Sequence, residues 1–309
     1  MKRFFSLLGA YFKFKGKEIA KNKINYLYIA PFFLLFVTFT LAPVVASLIL
    51  SFTHYNVLQP PTWAGLDNYY RLFMEDDLFI IAVKNTLVFA CIVGPGGYIL
   101  SLIFAWLINE LPPKIRAVFT ILFYTPSVAS AACVNVFKYF FSSDSQGLVN
   151  SNLLKMGLIS SPVQFFSDAA VMPYVVIGII LWSSIGTGFL SLIAGLQNVP
   201  RDQYEAGMVD GIANRWQELW YITLPNIKQQ MLFAAVMSIT GAFGIGLQIT
   251  NYVGFPSPNY AMHTVMHHME DYGITRFEMG YSLAISTILF LAMIYANKGV
   301  QYLLRRVGT

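Results

Sequence analysis

Charge is what this sequence has least of. Of its 309 residues only 11% are Asp, Glu, Lys or Arg, while 56% are hydrophobic; soluble globular domains carry roughly 25% charged residues. That shortage excludes a water-facing surface over most of the chain. Cysteine is nearly absent too. Cys91 and Cys133 both lie in apolar runs, where a free thiol behaves as a small hydrophobe, and neither spacing nor flanking residues support a disulfide or a metal site. A phosphate-binding Gly-x-x-x-x-Gly-Lys-[Ser/Thr] run is missing, and Gly16-Lys17 is the one Gly-Lys pair. The chain is therefore expected to hydrolyse no ATP itself; it is also expected not to be an enzyme and to hold no cofactor. The formal charge of +5 does not point to nucleic acid, because seven of the twenty basic residues are packed before Asn25.

Long apolar runs are what the sequence has instead. Windows 27–52, 86–108, 118–137, 171–196, 231–253 and 279–297 are each long enough to cross a bilayer, and none contains Asp, Glu, Lys, Arg or His. Continuous runs without alternation predict helices rather than a barrel. The fold class expected is all-α and polytopic, with six transmembrane helices in residues 26–309 and a separate amphipathic segment in 1–25. The first run continues through Pro43 to Leu50 with no small-residue cleavage site, so it reads as a retained helix and not a signal peptide. Phe4, Phe5, Leu8, Tyr11 and Phe12 recur at helical spacing among lysines, which suits a helix lying on a lipid surface; a disordered basic tail is the plainer alternative.

Basic residues set the orientation. The two ends and the second and fourth loops carry 15 Lys/Arg, the other three loops 5, which predicts a plasma (inner) membrane protein with both termini cytoplasmic. Trp63, Trp106, Trp216 and Trp220 fall at or beyond span ends, as interfacial anchors do.

Spans empty of ionisable groups argue against proton- or ion-coupled transport, voltage sensing, and an intramembrane protease or acyltransferase, which needs a nucleophile and a base. They hold neutral polar residues: Asn135 in the third, Ser183 and Thr187 in the fourth, Gln248, Asn251 and Tyr252 in the fifth. The last three, at i, i+3 and i+4, share a helix face. Amides and a hydroxyl beside an aromatic ring suit a sugar; helix–helix adhesion is the alternative use of the same residues.

The fourth loop, Gln197 to Gln230, looks helical. Pro200 can open a helix in which Tyr204, Met208 and Val209 form an apolar face and Gly211 is the stop; Asn214 can cap a second helix that Leu224-Pro225 ends. Two short amphipathic helices between spans make a projecting knob, for which a facilitator or channel working alone has no use. The string Tyr204-Glu205-Ala206-Gly207, then Asp210-Gly211, then Ile222-Thr223-Leu224-Pro225 resembles the EAA loop of ABC-importer permeases, with Gly207 for the second alanine. Pro31, Ser51 to Asn56, Gly65 to Tyr69, Asn85-Thr86, Ala194 to Gln197 and Gly280-Tyr281 extend that likeness to the first-partner permeases of carbohydrate importers, over nearly the whole chain. The family's Gly-Gly-Pro turn after the fifth span is here Gly254-Phe255-Pro256-Ser257-Pro258. The resemblance implies a type I importer. Two ATPase subunits would use the ATP, with a second, distinct permease and an extracytoplasmic solute-binding protein as further partners. Glu205 would make a charged contact with an ATPase.

Met262-His263 through Met266-His267-His268-Met269 offers soft metal ligands. No carboxylate or cysteine in the stretch completes a set, so a short packed helix is expected there and no metal.

Overall fold

The computed structural model describes residues 22–305, so the segment before Asn22, with its predicted surface helix, lies outside the described residues. In chain order the helices are α1 (Lys23–Leu50), α2 (Asp67–Met74), α3 (Asp77–Asn109), α4 (Pro113–Val128), α5 (Ser130–Phe140), α6 (Leu148–Lys155), α7 (Met172–Ser183), α8 (Thr187–Gln197) and α9 (Arg201–Val209). Next comes α10, which opens as Arg215–Glu218 and runs on through Leu219–Thr223 and Leu224–Asn226. The rest are α11 (Lys228–Phe243), α12 (Gly246–Val253), α13 (Val265–Glu270) and α14 (Met279–Arg305). Strand β1 (Thr53–His54) pairs antiparallel with β2 (Thr62–Trp63), Thr53 opposite Trp63.

Helices α1, α3 and α14 are long and apolar enough to cross a membrane. The pairs α4/α5, α7/α8 and α11/α12, bent by 93°, 41° and 49°, each pass the same test as one broken span. Six spans result, on the six apolar windows. The windows are continuous in sequence, yet three spans break, and each break has a local cause. Span four breaks at Ser184-Ile185-Gly186 and span five at Gly244-Ile245, where small residues cost a helix least to interrupt; span three turns at Ala129, just past Pro126. Pro31, Pro43, Pro95 and Pro225 are absorbed without a break. A single wide π turn precedes two of them: Val37–Leu41 before Pro43 in α1, and Leu219–Thr223 before Pro225 in α10. Widening the turn relieves the clash between the proline ring and the carbonyl four residues back.

Span two is longer than its window. The residues Phe79, Ala82, Thr86, Phe89, Ala90 and Val93 form one buried face that continues past the apolar run, so α3 starts at Asp77 and carries Lys84 outward into an exposed position. The core falls into three clusters along the spans. One joins Ile108, Phe189, Leu192, Leu219 and Ile227 near the α9–α10 end; a middle one joins Phe89, Val176, Ile249 and Tyr252; the third joins Leu72, Phe79, Tyr281 and Ile285 at the opposite end. No residue of the α1 hydropathy window is buried within the chain.

Candidate functional site

The fourth loop does fold as two helices. Pro200 sits at the N-cap of α9 in extended conformation, and Gly211 ends it at φ +93°. The N–H of Ile212 reaches the carbonyl of Gly207 at 2.9 Å and that of Gly211 the carbonyl of Met208 at 3.3 Å, the paired bonds of a Schellman stop. Asn214 caps α10 by accepting from Gln217 N–H at 2.9 Å. The apolar face is not where the Tyr204/Met208/Val209 pattern puts it. Tyr204 and Gly207 turn inward, Tyr204 Oη lying 3.2 Å from Thr223 Oγ1, while Met208 and Val209 are 66% and 88% exposed. Glu205, Ala206 and Asp210 are exposed beside them. The knob thus presents an apolar pair to water with a carboxylate at its flank. Gly207 has a packing reason: a Cβ there would lie 2.5 Å from Ile222 Cδ1, so the Ile222 tip occupies the space an alanine methyl would take. Leu224 is buried and Pro225 exposed, and the helix continues past them to Asn226 instead of ending there.

A groove of about 920 Å³ separates α9 and the start of α10 from the segment that follows α3, with Glu110, Arg116, Tyr204, Met208 and Arg215 on its walls. Arg215 closes one side of it. Its guanidinium reaches Glu110 at 2.9 Å and Glu218 at 2.9 Å, and next to it Trp216 packs on Trp106 with ring centroids 5.2 Å apart. Those two tryptophans, expected at span ends as interfacial anchors, meet each other.

The candidate pathway residues divide. Tyr252 is buried in the core, stacked on Phe166 at 6.0 Å and edge-on to Phe137 at 6.4 Å, while Asn251 is exposed and Gln248 half-buried. The shared face inferred from spacing is thus split: the ring serves packing, the two amides do not. Asn135 is exposed on α5, the helix that carries Phe137, and Ser183 and Thr187 flank the break in span four. None of these residues lines the groove at α9–α10.

The His/Met stretch forms α13, as the short packed helix was expected to. Thr264 caps it reciprocally with His267. All three histidines are buried: His268 Nε2 lies 2.9 Å from Asp76 Oδ2, His263 Nε2 lies 3.2 Å from His268 Nδ1, and His267 Nε2 lies 2.8 Å from Thr250 Oγ1. Tyr281 Oη donates to the same Asp76 oxygen at 2.7 Å. Burial pushes His263 and His267 down to about 4, the neighbouring histidines adding to the effect at His263. Burial lowers His268 as well, against the pull of Asp76. Burial alone would raise Asp76, but the Tyr281 hydrogen bond and His268 outweigh it and hold the carboxyl below its usual range. A carboxylate does join the histidines, from 192 residues away. Even so, no group of three or more His, Cys, Asp or Glu among the described residues has a metal-holding geometry.

Four of the short strings of the resemblance, those at Ser51 to Asn56, Gly65 to Tyr69, Asn85-Thr86 and Gly280-Tyr281, converge on this same end. Asn68 donates to the carbonyls of Ser51 and Thr53, both at 2.9 Å, and Asn85 to those of Tyr260 and His263, both at 3.0 Å. Thr86 Oγ1 accepts from Val265 N–H at 2.9 Å. Gly280 has no room for a side chain because the Thr53–Tyr55 backbone crosses it, and its N–H bonds the Tyr55 carbonyl at 2.9 Å. No periodicity argument finds these contacts, since the partners sit up to about two hundred residues apart.

Comparison with known proteins places the chain. It is 30% identical over 283 residues to the probable ABC transporter permease protein YesP of Bacillus subtilis, covering 90% of this chain and 89% of that one. It is 30% identical to the lactose transport system permease protein LacF of Rhizobium radiobacter, covering 88% and 90%. To the arabinooligosaccharides transport system permease protein AraP of Halalkalibacterium halodurans the identity is 28%, covering 92% and 88%. A crystal structure of a bacterial ABC transporter involved in the import of the acidic polysaccharide alginate contains a chain of the same fold, with TM-score 0.78 at 23% identity, covering 95% of this chain and 99% of that one. With residues 4–309 matching the family as well, the chain belongs to the binding-protein-dependent transport system inner membrane components.

Proposed function

We propose that this chain lines one half of the translocation pathway of an ATP-driven importer for a sugar or oligosaccharide. The observation that carries the coupling part is the α9–α10 knob. A helix stopped sharply at Gly211 presents Glu205, Met208 and Val209 to water, on a loop that carries the EAA-like string. In this reading the knob seats in a cleft of one of two ATPase subunits, which use the ATP, and moves as a rigid body when they close. Tyr204, Gly207, Leu224 and Ile222 hold it in shape; Glu205, Ala206 and Asp210 meet the partner. The chain itself holds no cofactor and performs no hydrolysis.

A sugar is favoured by the neutral polar residues in charge-free spans and by the names of relatives that carry lactose and arabinooligosaccharides. Exposed Asn135, Asn251 and Thr187, with half-buried Ser183 and Gln248, would face the solute once a second permease, a different chain, closes the other half. The unburied α1 would face that chain or lipid. The Lys/Arg asymmetry supports a cytoplasmic location for both termini and the knob, with α13 on the side where a solute-binding protein docks.

Purification in mild detergent from the native membrane tests this. An ATPase, a second six-span permease and a binding protein should accompany the wild-type chain, and Glu205→Lys should lower ATPase recovery or import at least tenfold. Recovery of the chain alone, where other complexes survive, would replace the reading with a stand-alone facilitator.

A further inference from the structure

Helix α3 is anchored differently at its two ends, and both anchors are made by loops that bear on function. It has 33 residues without a break, so it spans about 50 Å at 1.5 Å per residue. At its C-terminal end Glu110 takes the Arg215 guanidinium, and one turn earlier Trp106 packs on Trp216; Arg215 and Trp216 are the first two residues of α10. Arg215 is itself held by both carboxylate oxygens of Glu218, each at 2.9 Å. The last turn of α3 is therefore gripped by the knob through one charge and one ring.

At the other end Asp76 is the N-cap, one carboxylate oxygen accepting from Phe79 N–H at 3.0 Å and the other from His268 and Tyr281. Asn85 and Thr86 then fix the next turns of α3 to the chain entering α13. These contacts are buried, with the His268 side chain 2% exposed and that of Asp76 9%.

A helix with Gly94-Pro95-Gly96-Gly97 at its middle is a poor rod by composition. It stays continuous because its neighbours brace that stretch. A Cβ on Gly96 would meet Leu181, one on Gly97 would meet Ser184, and Ser238 Oγ donates to the Gly94 carbonyl at 3.0 Å. Spans four and five thus splint the weak point.

We infer that α3 is the transmission rod of the transport cycle. Glu110 and Trp106 are positioning residues that take up the displacement of the α9–α10 knob through Arg215 and Trp216, and Asp76 passes it to α13 through His268 and to α14 through Tyr281. A helix braced along its length moves as a unit, so displacement at one end reaches the other without a separate hinge. The proposal rests on the coupling reading of α9–α10 given above.

The test uses the assembled importer in proteoliposomes, reading ATP hydrolysed per solute imported. Glu110→Arg places two cations together at an exposed position where folding is not at stake. ATPase recovery should be unchanged while solute imported per ATP falls about tenfold, and adding Arg215→Glu together with Glu218→Gln, which removes the carboxylate that also faces position 215, should restore it to within twofold. Asp76→Asn should give the same uncoupling from the other end. Normal coupling in Glu110→Arg, or a loss that Arg215→Glu with Glu218→Gln does not repair, overturns the rod while leaving the coupling reading intact. Failure of an ATPase to accompany even the wild-type chain would instead remove the coupling reading on which the rod depends.

Discussion

The two ends of α3 use the same kind of contact, a carboxylate with a basic side chain, in opposite surroundings. Asp76 and His268 are sealed among Phe79, Tyr272 and Tyr281; Glu110 and Arg215 stand 42% and 63% exposed. Burial makes the first pair part of the architecture, because removing either partner strands the other where water cannot replace it. Exposure makes the second adjustable, since water solvates either partner when they part. An end that only has to hold its shape and an end that meets a moving knob call for those two designs.

Alanine at each end separates them, and this is the largest effect expected. Asp76→Ala leaves His268 Nε2 and Tyr281 Oη, two buried donors, without their acceptor and should cost about 3 kcal/mol, seen as a drop in the melting temperature of the detergent-solubilised protein. Arg215→Ala should cost under about 1 kcal/mol, within a few degrees of wild type. Equal losses at the two ends would remove the distinction.

Acid should find the sealed end next. His263 and His267 fall to about 4 in the folded protein, against roughly 6.5 in an unfolded chain. Between those values the unfolded state binds more protons, so stability rises with pH there. The contribution is complete above about 6.5 and is lost as pH falls toward 4. Melting temperature followed from pH 7.5 to 4.5 should fall across that window, and His267→Gln should shrink the fall. A pH-independent melting temperature would mean the histidines are not sealed.

Much of this architecture was legible in the residues, for reasons that differ by scale. Apolar runs reveal spans because the bilayer imposes a length, and caps at Pro200, Gly211 and Asn214 are local chemistry that a few residues specify. What stayed hidden depends on distant partners. Tyr252 shares spacing with Gln248 and Asn251, but only the packing of Phe137 and Phe166 against it shows that its ring is core. The histidine stretch suggested soft ligands because its carboxylate, Asp76, belongs to another helix. The α3 helix outran its apolar window because the exposed charge of Lys84 ends the charge-free run, while Leu78 to Val83 beyond it are still apolar and Phe79 and Ala82 are buried.

The smallest effects expected lie in the exposed knob, at two glycines four residues apart. Gly211→Ala puts a Cβ on a residue at φ +93° with nothing within 4 Å of it, so its cost is conformational and amounts to about 1 kcal/mol. Gly207→Ala meets the reverse situation. Its backbone is ordinary helix, where alanine is the better former by about 1 kcal/mol, but its Cβ arrives 2.5 Å from the Ile222 tip. That tip is the end of a flexible side chain and can turn aside, so gain and cost nearly cancel and stability should change by less than about 1 kcal/mol. The functional outcome separates the two further. Gly207→Ala should keep import near wild type, because the exposed surface of Glu205, Met208 and Val209 is untouched. Gly211→Ala loosens the Schellman stop that aims this surface, and import should fall severalfold at unchanged expression. Import that tolerates Gly211→Ala but not Gly207→Ala would show that the knob depends on the fit of Ile222 beneath it and not on the angle at which the helix ends.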